Sequence, residues 1–85
     1  MAITIHELRI MERSFKAIEK GVKTLMIIKN DRSFQKGDLI KFIVVPSGPT
    51  WIPYTADDLY EITYVLKLEN GRYVELGFTR REKEK

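Results

Sequence analysis

The side chains able to do chemistry in this chain are mostly cations and aromatics. Lys16, Lys20, Lys23, Lys29, Arg32, Lys36 and Lys41 share one stretch with only Glu19, Asp31 and Asp38. Seven against three leaves that stretch at +4, more than the +3 of the whole 85-residue chain. Ammonium and guanidinium groups at this density attract phosphate, and a guanidinium such as that of Arg32 can grip one bidentately. Trp51 and Tyr54 lie in or beside a segment with Pro46, Pro49 and Pro53, where an aromatic face can stack on a base or anchor a protein contact. Lys20, Lys23, Lys29, Arg32, Trp51 and Tyr54 are therefore the candidate residues for a phosphate-bearing ligand such as RNA or a nucleotide.

Other chemistries are excluded or disfavoured by composition. With no cysteine the chain has no thiolate nucleophile, no disulfide and no cysteine-held metal. Its single histidine, His6, is too little for a histidine-based metal site and reads as a core-edge residue. No metal and no cofactor are expected. The polar start of the chain does not read as a signal peptide, and no window approaches the ~20 apolar residues of a membrane span. The expectation is a cytoplasmic protein without a membrane partner. Gly37-Asp38 and Asn30-Asp31 read as turn formers.

These residues need elements to position them, and 85 residues suffice for one compact domain. Ile3, Ile5, Leu8 and Ile10 predict a first strand, bent near His6-Glu7. Phe15 and Ile18, three apart among Arg13, Lys16, Glu19 and Lys20, predict an amphipathic helix over about 12–20, with Gly21 as its C-terminal cap. Strands are expected over 23–29, 39–45, 59–68 and 73–78, with a proline-rich loop over 46–53 that carries Trp51 and Tyr54 onward. Asn70-Gly71 predicts a hairpin between the last two. The sum is an α+β fold: a small barrel of about five strands with one helix, spanning 1–79. Residues 80–85, Arg-Arg-Glu-Lys-Glu-Lys, read as a charged, solvated tail.

Several of these segments also carry a family resemblance. His6-Glu7-Leu8-Arg9-Ile10, Gly21-x-Lys23-Thr24 and Asn30-Asp31-Arg32-Ser33-Phe34-x-x-Gly37-Asp38, with Ile62 to Leu66 and Tyr73 to Leu76, resemble a phage-type branch of the ASCH domains. Those belong to the PUA-like superfamily of small RNA-associated β-barrels. The resemblance implies a PUA-like barrel with a ligand cleft beside the helix. One departure stands in its middle. Where ASCH domains usually carry Glu-x-Arg, this chain has Met26 and Ile28, an exchange of an ion pair for apolar packing.

Three functions follow as expectations. The first is a non-catalytic module that binds RNA or a nucleotide-like ligand through a basic rim. The second is a phage-encoded protein that docks on a host protein, favoured if Met26 and Ile28 enlarge an exposed apolar patch. The third is a variant of the ASCH amidohydrolases that act on acylated cytidine. Of their lysine, threonine and glutamate, the lysine maps onto Lys23 and the threonine falls on Met26. Thr24 points to the opposite face of the strand, and neither Glu61 nor Glu75 is singled out. No activated nucleophile can be named, so the reading leans away from an enzyme.

Overall fold

The computed structural model describes residues 3–49 and 52–81. Five strands and one helix follow in the order β1 (Ile5–Met11), α1 (Glu12–Glu19), β2 (Leu25–Lys29), β3 (Leu39–Val45), β4 (Tyr54–Leu68) and β5 (Tyr73–Arg80). They form one sheet in the order β1-β3-β4-β5-β2. The β1–β3 pair is parallel and the other three are antiparallel. The sheet curls into a half-barrel that α1 packs against, which is the expected small α+β architecture. Among the described residues the barrel stays open, with β1 and β2 as its two edges.

The helix forms where the apolar spacing places it. Phe15 and Ile18 are its buried residues. Its end is a Schellman turn: Val22 N–H donates to the Ala17 carbonyl and Gly21 N–H to that of Ile18, both at 3.0 Å. Gly21 takes φ +78° to close it, a conformation that penalises any Cβ.

The first strand differs from its expected pattern. His6, Leu8 and Ile10 face the core, while Ile3 and Ile5 are exposed. The strand runs without a bend, in unbroken register with β3. A histidine thus holds the inward position that an isoleucine was expected to hold. Two other boundaries shift. Tyr54 opens β4, paired with Val44, instead of ending the proline-rich loop. Arg80 belongs to β5, and Arg81 N–H donates to the Leu59 carbonyl at 2.8 Å, so ordered pairing passes the expected limit at 79.

Two irregularities bend the sheet. Between Lys41 and Ile43 of β3, β4 carries extra residues, its partners stepping from Leu59 to Thr55. Between Ile62 and Tyr64 the register to β5 slips by one, leaving Thr63 as a bulge. The second bulge reverses the parity of β4. Ala56, Tyr60 and Ile62 are buried before it; beyond it Val65 shares a row with buried Leu76, and Tyr64 and Leu66 face outward.

The core centres on Phe42, which is fully buried. Its ring lies 5.2 Å from Tyr60, 5.8 Å from Phe78 and 5.9 Å from Phe15 in tilted or edge-on contacts. Met26 and Ile28 are half-buried and pack against this cluster. They serve as packing at the rim of the core.

The Tyr60 hydroxyl is buried with no hydrogen-bond partner among the described residues. Burial pushes its phenol up from the ordinary 10.0, with Arg80 partly opposing. The folded state therefore keeps the proton past the pH at which the unfolded chain releases it. The contribution of this group to stability is fully present below pH 10 and is lost as pH rises beyond it. Tyr60→Phe is expected to raise stability by about 1 kcal/mol, because an unsatisfied hydroxyl is removed while its ring stays. It should also reduce the alkaline loss. Urea unfolding at pH 7 and at pH 11 reads both effects, and a destabilised Phe variant would mean that the hydroxyl is solvated in solution.

A candidate nucleic-acid interface at the hairpin end of the sheet

Three segments converge where β2 ends and the β4–β5 hairpin turns. Residues Glu69–Gly71 turn the chain in the left-handed region, with Glu69, Asn70 and Gly71 all at positive φ. Asn30, just past β2, ties the loop to this turn twice. Its Nδ2 donates to the Gly71 carbonyl at 2.8 Å and its backbone N–H to the Arg72 carbonyl at 3.0 Å.

The loop from Asn30 to Asp38 is anchored at its other end by a pair that sequence reading kept apart. His6 Nε2 stands 2.8 Å from Asp38 Oδ2, and His6 is only 5% exposed. The same carboxylate oxygen accepts the Gln35 N–H at 3.1 Å. Phe34, buried beneath the loop, lies against the His6 ring at 4.7 Å. Gly37 N–H and Ile62 N–H complete the anchor through 2.8 Å bonds to Ile62 and Asp38 carbonyls. Asp38 is thus more than a turn former, and His6 is a buried partner in a polar clamp.

Between the two anchors the loop carries Arg32. Its Nη1 donates to the Glu7 carbonyl on the β1 edge at 3.2 Å, and its guanidinium lies 5.9 Å from the Phe34 ring centre. Asp31 is a weak neighbour at 3.4 Å, exposed like Arg32 itself. These contacts fix where Arg32 stands and leave part of the group facing solvent.

Two adjoining clefts share Asn30. One, of about 470 Å³, is lined by Asn30, Arg32, Phe34, Val65, Lys67 and Val74, among others. The other, of about 390 Å³, is lined by Lys29, Asn30, Asp31, Arg72 and Tyr73. Both fall within the size range of small-ligand sites. The first cleft, with Arg32 and Lys67, opens on the inner face of the sheet, and the second, with Lys29, Arg72 and the exposed ring of Tyr73, on the outer side; the two meet at Asn30 at the end of the sheet. A strand following the sheet end past Asn30 would meet two cations on each side, with Asp31 among them, and an aromatic face on the outer one.

The sequence candidates do not all meet there. Lys29 and Arg32 do. Lys20 caps α1 at the surface. Lys23 lines a separate cleft of about 170 Å³ with Thr24, Tyr60 and Arg80, among others. Tyr54 lies with Phe15, Glu19, Asp57 and Asp58. Partial burial, then the Glu12 and Glu19 carboxylates, raise its phenol pKa, so its neighbourhood is acidic. Trp51 lies outside the described residues. Sequence reading missed Lys67, Arg72 and Tyr73. The Asn70-Gly71 hairpin signal did place Arg72 and Tyr73 beside a turn, but nothing linked that turn to Asn30.

Residues 5–78 match the family described as a domain of unknown function, DUF3850. The chain belongs to that family. The DUF3850 match runs from the start of β1 to Phe78 in β5, so it takes in both clefts and the His6–Asp38 clamp. No curated protein matches this chain. Among the described residues of this DUF3850 chain, no helix is long and apolar enough to cross a membrane. Nor do three or more histidine, aspartate or glutamate residues there gather as a metal site.

Proposed function

We propose that this DUF3850 chain is a small binding module of the PUA-like kind, taking single-stranded RNA or a nucleotide-like ligand at the hairpin end of its sheet. The observation that carries it is the placing of Arg32 and Lys67 on one side of Asn30 and of Lys29 and Arg72 on the other, next to the exposed ring of Tyr73. The cations meet phosphates. Tyr73 stacks a base, an interaction worth about 1–3 kcal/mol. Asn30 is held by the hairpin, and the ASCH resemblance supports the same ligand class. The alternative cleft at Lys23 has a volume of about 170 Å³, below the usual range of small-ligand pockets.

The expected result is salt-dependent binding of a short RNA with a log–log slope of roughly −3, from four phosphate contacts at about −0.7 each. Lys67→Ala and Arg72→Ala should each bring the slope to roughly −2. Arg13→Ala, on the exposed side of α1, should leave it unchanged. Fluorescence anisotropy at several salt concentrations measures this. Absence of binding at low ionic strength would sink the reading.

A further inference from the structure

The two edges of the sheet are treated differently. On β1 the outward side chains include Glu7 and Arg9, and Arg32 donates to the Glu7 carbonyl, so the edge is charged and partly covered. The β2 edge is Leu25-Met26-Ile27-Ile28-Lys29, with one charge, at its end, and no proline. Among the described elements β2 packs on β5 alone. An apolar edge of this kind is a template for another strand.

Which groups are free follows from the bonds to β5. Thr24 accepts from Phe78 N–H and Asn30 N–H donates to Arg72, so even-numbered residues of β2 point their backbone groups inward to β5. The N–H and C=O groups of Leu25, Ile27 and Lys29 therefore point to the open side. Their side chains share the outer face with neighbours on β5 and β4. Leu25 is 48% exposed, Ile27 60%, Tyr64 43%, Leu66 44% and Tyr73 40%, a mostly apolar surface interrupted by Glu75, which pairs with Ile27 on one side and Leu66 on the other. Gly77 belongs to it, since a Cβ there would come within 3.0 Å of the Tyr64 Cβ and 3.2 Å of Leu25 Cδ2.

We infer that β2 pairs antiparallel with β2 of a second copy, about a two-fold axis at Ile27, to make one continuous ten-stranded sheet. In this register Ile27 faces Ile27, and Leu25 faces Lys29 of the other copy. All the free backbone groups of the strand are used. Met26 and Ile28, half-buried at the core rim, then lie opposite each other and are covered. Charge selects the register. Carried two residues past each end of β2, the register centred on Ile27 brings Lys23 of each copy across from Asp31 of the other. Centred on Met26, Lys23 would face Lys29, and centred on Ile28, Asp31 would face Leu25. Directly opposed unlike charges stabilise a strand pair and like charges oppose it.

Sedimentation velocity on the full chain tests this directly. A concentration-dependent dimer is expected. Ile27→Pro should weaken it about tenfold or more, because it deletes the two central interchain bonds. It should still fold, since that N–H takes no part in the β2–β5 ladder. Lys23→Asp and Asp31→Lys should each weaken the dimer, and the double reversal should restore it. A chain monomeric up to about 1 mM overturns the inference and leaves the edge to a strand of another protein. A dimer unmoved by Ile27→Pro, or one whose charge reversals show no rescue, overturns it as well. The charge variants keep the test decisive if the proline variant misfolds.

Discussion

Phe42→Ala should come close to unfolding the protein. The side chain is fully buried and touches three other aromatic rings contributed by α1, β4 and β5. Truncating a phenylalanine in such a place costs about 3–5 kcal/mol, from lost transfer free energy and the cavity left behind. A chain of 85 residues has roughly 4–13 kcal/mol in total. The melting temperature should fall by at least about 12 °C, since each kcal/mol moves a domain of this size by about 4–8 °C. The sheet cannot easily collapse into the gap. Phe42 sits within the Lys41–Ile43 irregularity, where β4 carries extra residues against β3. Thermal melts followed by circular dichroism measure the change. A loss under about 1 kcal/mol would show that the aromatic cluster is not the centre of the fold.

Asp38→Ala should have the second-largest effect, and one that spreads to the interface. It leaves His6 Nε2 without its acceptor in a site only 5% exposed, and frees the Gln35 N–H. An orphaned buried polar group of this kind costs about 1–3 kcal/mol. Adding His6→Phe should recover much of that loss, because a matched removal of both partners leaves no unpaired polar group and the ring can still lie on Phe34. A double-mutant cycle by urea unfolding reads the coupling, and strictly additive losses would contradict the clamp. Arg32 sits between this clamp and Asn30. In the proposed interface Asp38→Ala should therefore also lower RNA affinity and the salt slope by roughly the 0.7 of one phosphate contact. Hydrogen exchange should rise in the loop while β5 stays protected.

Much of the architecture was legible in the chain. The helix over 12–20 and its glycine cap were written in the spacing of Phe15, Ile18 and Gly21, which are local signals. The strand over 39–45 was bounded by a turn on one side and prolines on the other, and its limits match β3. The hairpin at Asn70-Gly71 formed where expected, through a four-residue connection in place of a tight two-residue turn. In β1, hydrophobicity misled: Ile5 is apolar yet faces solvent, because alternation tied to Leu8 and Ile10 carries His6 inward.

The interface was only half legible, for a physical reason. Lys29 and Arg32 stood out as members of a basic run. Lys67 lay in a strand whose apparent alternation, Tyr60, Ile62, Tyr64, Leu66, would have turned it outward. The Thr63 bulge reverses that parity, bringing Lys67 to the cleft and sending Tyr64 and Leu66 to the outer surface beside β2. A bulge is a property of two strands in register, and one strand's sequence does not contain it. The His6–Asp38 clamp is the same case at 32 residues' separation. Composition, spacing and turn chemistry, being local, determined the elements and the positive stretch. Strand pairing, being non-local, decided which cations share a site, which apolar side chains are left outside, and which edge of the sheet stays open.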